Sequence, residues 1–252
     1  MGGIWIREGF ALFRRQPFSL ISLSLGILVI STLCSMIPIP GVPVLVILTP
    51  GLSCAFMYAC RNIEAGQFAR PGLLVAAFRE PAPRTRTMLK LGLAYLLVIM
   101  AGSILLAMLW MQLDGGAMRA AFEASANDPA AVPVQLAPAM YPFTVAALGF
   151  LLVVTLMFWF APVLVAWHGL GLRKAVFFSI VAIFRCLPAV VVFAVIVGVV
   201  TTALGAVLDV VIDALSLAEP WRSLLTVPVI GAWTSIISCA IYSSYRHAFS
   251  DA

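Results

Sequence analysis

The stretch Gln16–Cys60 reads QPFSLISLSLGILVISTLCSMIPIPGVPVLVILTPGLSCAFMYAC and contains no charged residue. A helix needs about 20 apolar residues to cross a bilayer core, so this run has room for two crossings. Its middle, IPIPGVP at 37–43, holds three prolines and a glycine. These end one helix and fit a tight turn before the next. Because no charge separates the halves, a re-entrant pair is the alternative to two full spans.

Four further intervals are free of charge: Leu91–Leu113, Pro129–Leu172, Cys186–Leu208 and Ser223–Tyr245. Over 252 residues, 63% are apolar and 10% charged, with a mean hydropathy of +1.11. Soluble domains hold roughly 45–50% apolar and 25% charged residues, so this composition excludes a soluble protein. Backbone groups in hydrocarbon must bond within their own segment, which selects helices. A β-barrel would instead show short segments of alternating polarity.

The expected fold is an all-α polytopic membrane bundle forming a single integral membrane domain over 1–252. Its spans are expected at 18–37, 42–61, 88–112, 142–168, 188–211 and 223–245. The first residues, MGGIWIREGFALFRR, show no apolar core followed by a small-residue cleavage site, so no cleaved signal is expected. Ile6 stands where a myristoylation signal would carry Ser or Thr.

Basic residues in short loops translocate poorly. With the amino terminus inside, all of the 15 Lys and Arg except Arg119 and Arg222 fall on the inner side. The expected location is therefore a bacterial inner membrane with both termini cytoplasmic, and segment 114–141 forms a short periplasmic loop. Trp110 and Trp221 fall at the outer aromatic belt and Trp5 at the inner one. The net charge of +5 then reports orientation and contact with anionic headgroups. Scattered along membrane edges without a stacking module, these charges do not suit nucleic acid.

An internal repeat organises the chain. ALFRRQP (11–17) is echoed by AIFRCLP (182–188) and more weakly by AAFREP (76–81). On a helical wheel, residues 4–15 place Trp5, Ile6, Phe10, Leu12 and Phe13 on one face and most charges on the other, an interfacial pattern. One such segment precedes each pair of spans, giving three hairpins in units of about 1–63, 70–168 and 173–247. Arg14, Arg15, Arg79, Arg173, Lys174 and Arg185 are the expected headgroup and topology residues. The second helix of each pair carries a proline, Pro50, Pro162 or Pro228. These are expected to kink the helices, as in transporters with broken helices at a binding site or as packing features that neighbours relieve.

The succession EGFALFRRQP, LTPGLSCAFMYACRNIEAGQ, AAFRE, FWFAPVLVAWHGLGLRKAVFFSIVAIFR and YSSYRHAF resembles an uncharacterised family of proteobacterial multi-pass inner-membrane proteins. FWFAPVLVAWHG at 158–169 is its most specific part, and the Pro-Ala-Pro after AFRE departs from it. The three-unit layout is also similar to the membrane domains fused to some glycerophosphodiester phosphodiesterases. The resemblance implies fold and location, and no activity.

Asp209 and Asp213 are the acids closest to a span interior, and four-residue spacing puts them on one helical face. Such acids can mark an ion or proton route. His168, at the inner end of the expected fourth span, is the second candidate. The hydroxyls of Ser19, Ser22, Ser24, Ser31, Thr32 and Ser35 suit helix packing, as do Gly51, Gly92, Gly102, Gly149, Gly198 and Gly205. Cys34, Cys54, Cys60, Cys186 and Cys239 lack zinc or disulfide spacing and read as small core residues. No catalytic or phosphate-binding motif appears in a usable context, so no enzyme activity, metal or cofactor is expected. The leading expectation is a component that contacts lipid, a protein partner or a second copy of itself. The alternative is a small transporter for an amphipathic solute.

Overall fold

The computed structural model describes residues 2–113, 116, 132–216 and 219–249. Most of segment 114–141, expected as a periplasmic loop, lies outside these residues, including Asp114, Arg119, Glu123 and Asp128. Nine α-helices are described: α1 (Gly2–Phe13), α2 (Pro17–Ser35), α3 (Gly41–Glu64), α4 (Ala82–Leu113), α5 (Val132–Phe158), α6 (Ala161–His168), α7 (Leu172–Arg185), α8 (Leu187–Ala214) and α9 (Glu219–Phe249). A 3-10 helix covers Pro71–Phe78. Six stretches are long and apolar enough to cross a membrane.

The charge-free opening run divides as two helices, of 19 and 24 residues. At 1.5 Å per residue these reach about 28 Å and 36 Å, enough for full crossings, so no re-entrant pair is needed. The turn between them holds Ile39 at φ +67°, and Gly41 lies so close to the Cys34 carbonyl that a Cβ would stand 1.8 Å from it. Helix α4 begins before the expected position 88. Pro81 and Pro83 suit a helix start, where missing N–H groups cost nothing, and the Thr85 hydroxyl donates to the Glu80 carbonyl at 2.8 Å. The added turns carry Arg84 and Arg86 clear of the apolar stretch.

The fourth span, expected at 142–168 with a kink at Pro162, parts into two helices. It breaks between Phe158 and Ala161. Pro162 has no N–H for the Phe158 carbonyl, and the Phe160 N–H donates instead to the buried Ser179 hydroxyl of α7 at 3.0 Å. Pro50 and Pro228 lie inside helices that continue past them.

The three entrance segments also differ from one another. Two are α-helices, whereas Pro71–Phe78 is 3-10. Helix α1 does not rest its apolar face on lipid: it docks on α9 and α8. Trp5 is 2% exposed, with its ring 6.1 Å from that of Phe193, while Phe10 is 47% exposed. The expectation of Trp5 as an interface anchor is therefore corrected. The docking face combines Trp5 and Leu12 with Gly2 and Gly9, small residues that a wheel drawn for large apolar ones overlooks. Gly9 meets the Ala240 backbone so closely that a Cβ would lie 2.5 Å from its nitrogen.

Helices α2 and α3 pack together, as do α4 and α5, but α8 and α9 touch at few points. Helix α9 packs instead on α1, α2 and α3. The core concentrates at the end where the two chain termini meet, in Cys54–Ile63, Ala161–Ala166 and Cys239–Tyr245. At the opposite end α4 and α8 present Leu105, Met108, Val199 and Val210 outward, the surface that hydrocarbon covers. Of the glycines read as packing points, Gly51, Gly92 and Gly102 meet neighbours, whereas Gly149, Gly198 and Gly205 face open space.

Candidate functional site

Three glutamates tie the charged end together. Glu80, after the 3-10 helix, accepts from Tyr58 of α3 at 2.8 Å and pairs with Arg84 at 3.1 Å. Glu64, at the end of α3, accepts from Tyr242 of α9 at 2.7 Å and pairs with Arg246. Glu8 of α1 accepts from Ser243 and lies 3.1 Å from His247 Nε2. Partial burial pushes the Glu8 carboxyl up, but hydrogen bonds from Ser243 and His247 and the nearby charges of His247 and Arg246 outweigh it and hold the group below its ordinary range. Glu8, Arg15, Glu64, Tyr242 and Arg246 line a polar recess of about 180 Å³.

Beside this recess, Arg61 lies 5.1 Å from the Trp167 ring centroid, which is itself 5.9 Å from Tyr58 and 5.3 Å from Tyr245. His168 ends α6, and its Nε2 is 2.7 Å from the Tyr245 hydroxyl. The histidine thus joins the fourth and sixth spans through a hydrogen bond.

Deeper in the bundle, a cavity of about 190 Å³ opens where the Pro50 and Pro162 sites meet. It is walled by α3, α4, the α5–α6 break and α9, and among the described residues no charged side chain lines it. Thr49, Ser53 and Ser238 spend their hydroxyls on carbonyls of their own helices, at 2.8–2.9 Å. Tyr95 and Thr155 line the same cavity; among the described residues their hydroxyls have no partner. A second apolar recess of about 260 Å³ lies between α2 and α9, with Val227 beside Pro228 on its wall.

The structure separates the other candidates from this cavity. Asp209 and Asp213 lie in the last turns of α8, both exposed, and Asp213 meets Arg222 at 3.5 Å. Arg14, Arg79, Arg173, Lys174 and Arg185 are exposed at the charged end or beside it, and Arg79 lines a groove with Arg70. Of the first span's hydroxyls, Ser24 bridges to Ser235 of α9 at 2.7 Å, whereas Ser22, Ser31, Thr32 and Ser35 bond to their own helix. Cys60 and Cys239 touch across α3 and α9, with sulfurs 3.4 Å apart, and both are buried among apolar neighbours.

Sequence reasoning missed the three glutamates. A signal was present: each stands beside or one turn from an arginine, as in Arg7-Glu8, Arg61…Glu64 and Arg79-Glu80. An acid among clustered cations needs a partner of its own, and side chains of α3 and α9 supply it.

Six apolar spans, an all-helical fold and a polar end tied by carboxylates define a multi-pass membrane protein. The chain is 30% identical over 249 residues to a probable inner membrane protein of Burkholderia thailandensis, a match covering 98% of this chain and 90% of the relative. It belongs to that inner-membrane protein family. No family model matches the chain, and no solved structure does.

Proposed function

We propose that this protein is a non-enzymatic membrane component that acts by contact with lipid, holding anionic headgroups at a cytoplasmic rim. The observation that carries this reading is the spending of charge at that end. Glu8, Glu64 and Glu80 are each engaged by side chains of the protein, whereas Arg14, Arg15, Arg70, Arg79, Arg173, Lys174 and Arg185 have no carboxylate partner among the described residues. Cations left over beside a membrane surface each add about 1 kcal/mol of attraction to anionic lipid.

The test is thermal stability of the protein reconstituted in phosphatidylcholine vesicles with and without phosphatidylglycerol or cardiolipin. Anionic lipid should raise the melting temperature, and the R79E/R173E/K174E variant should lose the increase. Equal stability in both vesicles overturns the reading.

The second reading is a small permease for an amphipathic solute, and the cavity at the proline sites favours it. It predicts flux of such a solute into protein-loaded vesicles. Because the cavity lies away from Asp209 and Asp213, the Asn variants at both positions separate a route through the aspartates, which they abolish, from one through the cavity alone.

A further inference from the structure

We propose that the cavity at Pro50 and Pro162 binds one uncharged lipid-like molecule bearing a hydroxyl group, of the class of long-chain alcohols and monoacylglycerols. The hydroxyl would meet the Phe158 carbonyl, Thr155 and Tyr95, and the chain would lie against Phe56, Met57 and Ile241. This inference deepens the lipid-contact reading and rests on it, but uses a different site from the basic rim.

Backbone accounting comes first. Pro162 cannot donate to the Phe158 carbonyl, the Trp159 N–H turns to the Leu156 carbonyl at 3.3 Å, and the Phe160 N–H goes to Ser179. The last turn of α5 is thus left short of helical donors, and Thr155 and Phe158 of that turn line the cavity with Trp159 just beyond it. At membrane depth an unsatisfied backbone group costs several kcal/mol, and broken backbone persists where it lines a cavity. A donor from an occupant answers that deficit.

The side chains agree. Tyr95 and Thr155 bring two hydroxyls without partners among the described residues to the same wall. A few convergent polar groups in an otherwise apolar pocket fix the orientation of a ligand. Among the described residues no charged group lines the site, so an ionised headgroup would enter uncompensated. A hydroxyl that both donates and accepts matches the carbonyl and the two hydroxyls.

Size and access complete the case. A cavity of about 190 Å³ exceeds the roughly 150 Å³ of dry apolar cavities that take up benzene, room for the hydroxyl end and first carbons of an occupant whose remaining chain lies in the bilayer. Thr49, Ser53 and Thr155 on its wall are exposed, so it is continuous with the surface that lipid chains cover. An occupant therefore comes sideways from the bilayer.

The experiment uses the full chain in phosphatidylcholine nanodiscs with a diazirine-bearing long-chain alcohol as probe. Photolabel should concentrate on the peptides containing Thr49–Met57 and Thr155–Val163, and unlabelled alcohol should compete while the fatty acid of the same length at pH 8 does not. Ser53→Phe and Ser238→Phe fill the cavity and should each lower labelling by about tenfold, because the added ring takes the space of the occupant. Charge reversal at Arg79 should leave labelling unchanged, which keeps this result separate from that of the basic rim. Label spread evenly over α4 and α8, competition by the fatty acid equal to that by the alcohol, or unchanged labelling of folded Ser53→Phe would each overturn the proposal. If neither filling variant folds, the peptide map and the competition on the native chain decide it.

Discussion

The Tyr242 hydroxyl donates to the Glu64 carboxylate across 2.7 Å, joining the end of α3 to α9 although 178 residues separate them. Tyr242 is buried while Arg246, the other partner of Glu64, is more than half exposed. The two contacts should therefore differ in worth. Glu64→Ala leaves the tyrosine hydroxyl without its acceptor and should cost about 1–3 kcal/mol, Tyr242→Phe about 1 kcal/mol, and Arg246→Ala about 0–1 kcal/mol. Unfolding of the three variants in detergent should give that order, and Arg246→Ala as the worst of them would contradict it.

Gly9 lies against the backbone of Ala240. Adding a side chain there must push α1 away from α9, because the neighbour is main chain and cannot rotate aside. Gly9→Val should undock α1, expose Trp5 and speed tryptic cleavage at Arg14 and Arg15. Gly3, whose nearest neighbour is the far end of Ile196 at 3.9 Å, should accept alanine with the native cleavage rate. Equal cleavage of the Gly9 variant and the native chain would mean that α1 is not held by this contact.

The Ser24 and Ser235 hydroxyls meet at 2.7 Å between α2 and α9, and Ser235 also reaches the Leu20 carbonyl at 3.0 Å. Hydrogen bonds between membrane helices contribute roughly 0.6–2 kcal/mol. Ser235→Ala should thus cost more than Ser31→Ala, whose hydroxyl bonds within its own helix. A double-mutant cycle on Ser24 and Ser235 should give a coupling of about 0.5–1 kcal/mol, and additive effects would place the stability elsewhere.

Why some of this was legible and some not follows from which forces act locally. The spans could be read because a charge-free run of bilayer length has one low-energy state, and Gln16–Cys60 could be split because Pro38, Pro40 and Pro43 interrupt it. The break at Phe158–Ala161 was half legible. Pro162 announces a missing donor, but whether the helix bends or parts depends on Ser179, a residue of another helix, capturing the Phe160 N–H. Pro50 carries the same local signal, and its helix continues. The docking of α1 was hidden because glycine contributes nothing to a hydrophobic wheel, while close approach to Ala240 depends on it. The cavity depends on four elements bringing Tyr95, Thr155 and Pro50 together, a long-range juxtaposition with no periodic trace. Asp209 and Asp213 stood out by rarity, and the fold puts them where solvent and Arg222 meet them.

The lowered Glu8 carboxyl makes a prediction about acid. A carboxyl whose folded-state pKa lies below its ordinary value of 4.5 adds stability that is present above that value and lost as pH falls through the lowered one. Exposure of both Glu8 and His247, 43% each, limits the effect through solvent screening. Melting temperature should decline as pH falls from about 5 to 3, with α1 released first, and Glu8→Gln should flatten that decline while lowering stability at neutral pH. A Gln variant as acid-sensitive as the native chain would assign the acid limb to other carboxylates.

Sidedness of the polar end is open to a direct chemical test. The basic residues cluster at the end where α1 meets α9, and such residues stay on the cytoplasmic side when a helix pair inserts. Ser216 is exposed in the turn after α8, and Gln67 is exposed between α3 and the 3-10 helix, at opposite ends of the bundle. In a background with Cys34 and Cys186 replaced by serine, the remaining cysteines are buried and shielded from reagent. A membrane-impermeant maleimide should then label Ser216→Cys in cells whose outer membrane alone is permeable, and Gln67→Cys only after the inner membrane is opened. The reverse pattern would put the arginines outside, where the inner leaflet's anionic lipid could not reach them, and would remove the basis of the headgroup reading. Labelling at both positions in intact inner membranes would show two orientations, which so lopsided a distribution of arginine is expected to prevent.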